Sequence, residues 1–365
     1  MAGCCSLTCV NARPRGSDYK EAVTCHPRQL VAAGWVLFLA CAQVPAAVSA
    51  GAPAATEAPE VTVDNGALAI RFQGRPLLVY AFATNQFKPY VRELYTLRGD
   101  NVLRDAPADH LHHHGLMYAV RVNDVNFWEE GDQPGHQIPV KLISHRVGAT
   151  RYGLPEASFT QLIHWVAHTN ATRLDSTPVA LLVERRTLTL TVDEPRAEVA
   201  LRWQADFEAG PGAESVKLQG SGYNGLGLRL PADWDHSAHH ANSENAPYSA
   251  EQTWDVTPAR WAAVSHSGNS GAITVMLAGR PSNPGDTRFF SMLNPFAYLS
   301  VTQNLEKAPL AYARGDRFHI DYLLLLYAGE TRRDFLEQRY GSWVSRTQDA
   351  PSPRVSSTST QPARP

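Results

Sequence analysis

The sequence predicts an all-β protein, a large antiparallel β-sandwich with one short C-terminal helix, and three observations predict it. Apolar residues recur with period two through the middle of the chain, Gly, Pro and Asn punctuate those runs, and helical periodicity is confined to one late segment. The implied strands exceed what an immunoglobulin-sized sandwich holds, so a larger, supersandwich-like pair of sheets is expected.

In chain order, Arg28 precedes the apolar run "LVAAGWVLFLACA", which is short for a bilayer span and is followed by "QVPAAVSA" with small residues at Val48 and Ala50. Residues 1–50 are therefore expected to be a signal peptide with an over-long N-terminal extension. The mature protein is expected to begin near Gly51 and to be periplasmic or secreted. All five cysteines (Cys4, Cys5, Cys9, Cys25, Cys41) fall in this segment, which leaves the body without a disulfide framework or cysteine metal knot. Residues 51–60 read "GAPAATEAPE", mostly Ala and Pro, and residues 346–365 read "RTQDAPSPRVSSTSTQPARP". Neither has apolar side chains to bury, so they read as a linker and a disordered tail around a sandwich domain at 61–345.

Within that domain "TLTLTV" sets Leu188, Leu190 and Val192 on one face, and "EVALRWQADFEA" does the same for Val199, Leu201, Trp203, Ala205 and Phe207. "DEPRAE" joins the two as a hairpin. Similar runs occur at Leu68 to Phe72, Leu116 to Val122, Val216 to Leu218, Ala272 to Leu277, Ala297 to Val301 and Phe318 to Tyr327. "YLLLLYAG" reads as a buried strand, and no segment of the mature region is long and apolar enough to span a membrane. "TRRDFLEQRYGSW" reads as the helix, with Thr331 as its N-cap. A formal net charge of -2 lacks the basic excess of a nucleic-acid binder, so no nucleic-acid partner is expected.

Chemistry concentrates at "DHLHHHG", Asp109 to Gly115. If this segment is extended as it enters "LMYAVRV", His110, His112 and His114 share one face and Asp109 and His113 the other. Such imidazoles could bind a divalent metal. Alternate residues on a strand sit about 7 Å apart, so two would coordinate and a further ligand would come from elsewhere. Glu129 is the first candidate; Glu130, His239, His240, His319 and Asp321 are others. The same residues could instead bind hydroxyls, because a neutral imidazole both donates and accepts. Asp109, His113, His114, Asn126 and Trp128 would then form a polar cleft flanked by an aromatic, approached by His239 and His240. A third reading makes the histidines purely structural. The candidate catalytic residues are His110, His112 and Glu129, which are also the candidate metal ligands.

The run "ADHLHHHGLMYAVRVNDVNFWEE", with "KPYVRELYTLRGDNVLRDAP" before it and "GRPSNPG" later, resembles the PmoA family, a bacterial domain family of largely unassigned function. The likeness covers about Val61 to Gly329, but Leu111 and His114 stand where that family usually carries proline and arginine. Its name implies a metal-dependent oxygenase, whose membrane subunits would need spanning helices that the mature region lacks. More distantly, "HHHGL", "GYNGLGLRL" and "AYLSVTQNL" with "YARGDRFHIDYLLLLY" are similar, in order, to segments of the galactose-mutarotase-like supersandwich. That resemblance implies a sugar-handling sandwich. It also places the mutarotase acid near Ser221 and the base near Val301, so ordinary aldose 1-epimerase chemistry is not expected. The expected function is an exported carbohydrate-active protein using histidine and carboxylate acid–base chemistry of lyase, epimerase or hydrolase type. The alternative is a non-catalytic glycan-binding protein, and either way the partner is a small molecule or glycan.

Overall fold

The computed structural model describes residues 57–168, 179–248 and 253–348. The expected signal peptide, residues 51–56 of the linker and residues 349–365 of the tail lie outside these residues. The described chain is an antiparallel β-sandwich with one C-terminal helix.

The longest hairpin shows why the strands form where they do. Leu182–Asp193 pairs with Glu198–Ala209 so that Leu188 faces Trp203, Leu190 faces Leu201 and Val192 faces Val199. All six are buried, and period-two burial on both strands is what holds the register. The turn closes through Glu194–Arg196, where the Asp193 carboxylate accepts the Arg196 N–H and Ala197 adopts a left-handed φ of 48°.

This hairpin lies inside an eight-stranded sheet whose spatial order is His239–Asn242, Trp261–Gly268, Gly271–Gly279, Arg317–Tyr327, Glu198–Ala209, Leu182–Asp193, Pro155–Val166 and His136–Ala149. The last of these is an edge strand, and its register shifts twice, around Pro139/Lys141 and Leu142/Ser144. A nine-stranded sheet packs against the eight-stranded one, in the order Glu60–Asp64, Ala67–Phe72, Arg75–Ala81, Tyr90–Leu94, Leu116–Ala119, Gly225–Arg229, Tyr298–Thr302, Arg288–Met292 and Trp254–Pro258. Leu68, Leu78, Tyr118, Leu226, Leu299 and Val301 of this sheet share one core with Leu190, Leu201 and Trp203. A small third sheet orders Leu310–Ala313, Ser215–Gln219, Arg121–Val122 and Val125–Asn126. The expected strand Leu116 to Val122 is thus divided between two sheets.

The helix, Arg333–Gln348, covers the other face of the eight-stranded sheet, where Leu336 and Tyr340 pack on Trp261, Met276, Leu323 and Leu325. It begins two residues after Thr331, which is not its cap: the Thr331 N–H instead donates to Thr274 Oγ1 at 3.1 Å. It also runs to Gln348, into residues expected to be tail. Among the described residues no helix is long and apolar enough to cross a membrane.

One feature of the nine-stranded sheet shapes its outward face. On Gly225–Arg229, Leu226 and Leu228 point into the core, so Gly225, Gly227 and Arg229 face outward beside Thr302, Ser300 and Tyr298. A Cβ at Gly227 would lie 1.9 Å from the Tyr298 hydroxyl, so only glycine leaves room for that ring. A second feature ties the layers together. Between the two large sheets, Glu184 and Arg186 are fully buried. Arg186 makes five hydrogen bonds: two to the Glu184 carboxylate, the others to Tyr80 Oη, the Pro89 carbonyl and Gln137 Oε1. Burial disfavours the guanidinium charge, yet Glu184 and Tyr80 together outweigh it and hold the Arg186 pKa above its usual value.

Replacing Arg186 by methionine strands the Glu184 carboxylate in the core and should cost about 3–5 kcal/mol in urea unfolding. A loss below about 1 kcal/mol would show that the pair does not hold the sheets together.

Candidate functional site

The heptapeptide is not extended. His110 N–H donates to the Pro107 carbonyl (2.9 Å), His113 N–H to the His110 carbonyl (3.0 Å), and Ala106 N–H to the His113 carbonyl (3.0 Å), so the chain folds back on itself before the strand begins. Gly115 then passes so close to the Tyr90–Leu94 strand that a Cβ would sit 2.3 Å from the Val91 carbonyl oxygen. These turns regroup the histidines: His110, His112 and His113 line one cleft, and His114 points elsewhere.

The cleft has a volume of about 560 Å³ and opens on the outward face of the nine-stranded sheet. Its floor is aromatic, with Phe290, Phe296 and Tyr298, and its walls are the histidine turn, Trp128 with Glu129, Ser221 to Tyr223, Trp254 and Glu306. His110 stacks on His113 (4.6 Å between centroids) and meets Phe296 edge-on (4.8 Å), while His112 meets His113 edge-on at 4.6 Å.

Asp109 orients His110 from outside the cleft. Its Oδ2 lies 3.0 Å from His110 Nδ1 and accepts Arg229 Nη2 at 3.1 Å. A carboxylate only accepts, so Nδ1 carries the proton and Nε2 is left as the basic nitrogen. Partial burial works against the Asp109 charge, but the His110 hydrogen bond and the Arg229 charge outweigh it and hold the carboxyl below its usual range. Arg229 itself is buried, with its guanidinium 3.5 Å from the centre of the Phe296 ring. Burial pushes His113 down to about 2, with the positive charges of His112, His110 and Arg229 adding to it. His112 is lowered for the same leading reason, with Lys88 contributing next.

Asn126 is likewise a positioning residue, outside the cleft lining. Its Oδ1 accepts the Trp128 and Glu129 N–H groups (2.9 and 3.2 Å), and its Nδ2 donates to Glu129 Oε2 at 2.8 Å. The Tyr223 hydroxyl donates to the other Glu129 oxygen at 3.1 Å. Behind this wall His114 bridges Asp105 Oδ1 (2.9 Å) and Glu130 Oε1 (3.0 Å) and stacks on Tyr90 at 4.3 Å. Burial alone would lower His114; the two carboxylates outweigh it and raise its pKa.

The other expected members do not line the cleft. His239 and His240 lie on the strand that edges the eight-stranded sheet and do not line the cleft, although His240 abuts the backbone of Met292, which does. His240 is stacked on Tyr248 (4.9 Å), and burial lowers it to about 4. His319 pairs with Asp206 at 2.7 Å, and Asp321 is buried against Arg202 and Arg280. Among the described residues no three His, Cys, Asp or Glu side chains form a group able to hold a metal ion. The candidate ligands His110, His112 and Glu129 all line the cleft but do not form such a group.

Sequence reasoning missed Tyr223, Phe290, Phe296, Tyr298 and Glu306. Tyr298 was accessible to it, since it lies on the face opposite the core residues Leu299 and Val301 of an expected strand. Ser221 does line the cleft, whereas Val301 is fully buried in the core and offers no base. Three buried polar atoms of cleft-lining side chains, His113 Nδ1, Trp128 Nε1 and the Tyr298 hydroxyl, have no hydrogen-bond partner.

A family model described as "Family of unknown function (DUF6807)" matches residues 67–341, so the match is to this family rather than to the PmoA family that the histidine motif resembles. No curated protein matches the chain. Similar solved structures include the GH36 α-galactosidase AgaB from Geobacillus stearothermophilus, with 11% identity, 73% of this chain and 40% of that chain covered, and a TM-score of 0.43. The galactosidase domain of the α-galactosidase-sucrose kinase AgaSK gives 8% identity, 74% and 42% coverage and a TM-score of 0.41. A galactose mutarotase related enzyme from Lactobacillus acidophilus gives 8% identity, 75% and 99% coverage and a TM-score of 0.34. This chain spans about 40% of the length of the first of these α-galactosidases.

The lowered His113 pKa has a defined pH signature. Between its folded value of about 2 and the unfolded histidine value the unfolded chain binds the extra proton, so stability is complete above pH 6.5 and falls as pH drops below it. The slope from this one ring should approach about 1.4 kcal/mol per pH unit. Nitrogen-15 NMR of the histidine rings should show His113 neutral down to pH 4; a midpoint near 6.5 would contradict the burial argument.

Proposed function

The chain belongs to DUF6807, a family of unknown function, and from that premise we propose that its cleft binds a sugar or sugar derivative and acts on it by acid–base chemistry. One observation carries this reading: neutral-leaning imidazoles and the Glu129 carboxylate line one cleft over an aromatic floor. Sugars offer what such a cleft matches, namely an apolar ring face for aromatic rings and hydroxyls for groups that donate and accept.

In this reading His110 Nε2 is the base, its tautomer fixed from behind by Asp109. Glu129 exchanges the second proton, held in place by Asn126 and Tyr223. His113, kept neutral, accepts or donates a hydrogen bond without presenting charge. Lyase, epimerase and hydrolase steps all need such a pair beside the ring, and the substrate decides among them. A non-catalytic glycan-binding protein is the second reading, favoured by Trp254, which stands 51% exposed at the cleft rim.

We further propose that the protein is exported. The apolar run ending before "QVPAAVSA" supports it. Amino-terminal sequencing of protein recovered from the periplasm or medium should begin near Gly51, and an intact Met1 in the cytosolic fraction would overturn export.

The chemistry is tested by following a panel of saccharides and sugar derivatives by proton NMR with wild type, Glu129→Gln and His110→Ala. Turnover should fall about 10²–10⁴-fold in either variant, while unfolding free energy changes by no more than about 1–2 kcal/mol. Binding without turnover in wild type at every pH would favour the second reading, and no binding at all would end both.

A further inference from the structure

The cleft does not end at its own rim. A second compartment of about 480 Å³ adjoins it, and the two share Gly222, Trp254 and Glu306 as lining residues. Gly222 lies at the passage, where a Cβ would stand 3.3 Å from Glu306 Oε2 and 3.4 Å from Val256 Cγ2. Trp254 stands at the junction. It stacks on Phe290 at 5.8 Å and 22°, yet 51% of its surface remains exposed, a large aromatic left open where the two spaces meet.

Resting on the sugar reading above, we propose that the site takes an oligosaccharide, with one unit over Phe296 and Tyr298 and the next lodged beyond Trp254. The second compartment has the groups a hydroxyl-rich unit needs: the Arg288 guanidinium and the Asn304 amide as donors, and Glu306 as acceptor. Its charges compensate one another. Arg288 is bonded to Asp286 at 2.8 Å, and Lys307 lies 3.7 Å from Glu306, which fits a neutral unit rather than a phosphorylated or acidic one. Each compartment alone is of the size that holds a small ligand, and one ring would leave the second space to water.

Calorimetric titration of the full chain with glucose, galactose and mannose, their homodisaccharides and their 6-phosphates tests this. The matching disaccharide should bind about tenfold or more tighter than its monosaccharide. Val256→Phe, which fills the second compartment, should bring that ratio close to one, and Arg288→Ala should reduce it severalfold; thermal melts establish that each variant is folded. A wild-type ratio near one, or a preference for the phosphates, overturns the oligosaccharide inference and leaves the sugar reading standing. Failure of every saccharide to bind overturns the sugar reading and this inference with it.

Discussion

The buried Glu184–Arg186 pair is the constraint on which the architecture depends. An arginine with no access to water must have its donors satisfied, and the five bonds of Arg186 are distributed across both large sheets and the loop that leads into Tyr90–Leu94. One bond ends on the Pro89 carbonyl, beside Lys88, whose Nζ donates to the Trp128 carbonyl at 3.1 Å and pairs with Glu130. Glu130 in turn meets His114, and His114 meets Asp105. A continuous polar line therefore runs from the middle of the core to the rear of the cleft wall. The residues that face the cleft are fixed from behind by groups that never reach it.

That line explains a division of labour among neighbours in sequence. His113 and His114 are adjacent, as are Glu129 and Glu130, yet in each pair the first member lines the cleft and the second is structural. Asn126 and Asp109 act at one remove, fixing a carboxylate and an imidazole respectively. The cleft thus combines rigid polar groups with an aromatic floor made possible by Gly227.

The strands were legible because burial on a sheet repeats every two residues, and the hairpin 182–209 keeps that period with little exception. Even the buried pair was within reach: continuing the alternation of Leu190 and Leu188 backward points Arg186 and Glu184 inward. The heptapeptide was misread in conformation because four histidines carry no turn signal of their own. Pro107 and the backbone bonds of residues 106–113 decide the matter. His239 and His240 were grouped with the cleft on residue type alone; their strand belongs to the eight-stranded sheet, and neither side chain lines the cleft. Trp254 and Glu306 converge from strand and loop far apart in the chain, a juxtaposition that only strand order reveals.

The edge strand His136–Ala149 has a consequence for self-association. A fourteen-residue strand at the border of a sheet would ordinarily offer a second copy a ladder of free amides and carbonyls on which to add its own strand. Here Pro139 withholds one donor, and two register shifts break the remainder into short stretches that no straight partner can match. Lys141 and Arg146 along the same strand place positive charge where an identical copy would bring its own. The sandwich can extend its longest strands to the border of the molecule without turning that border into a template for aggregation.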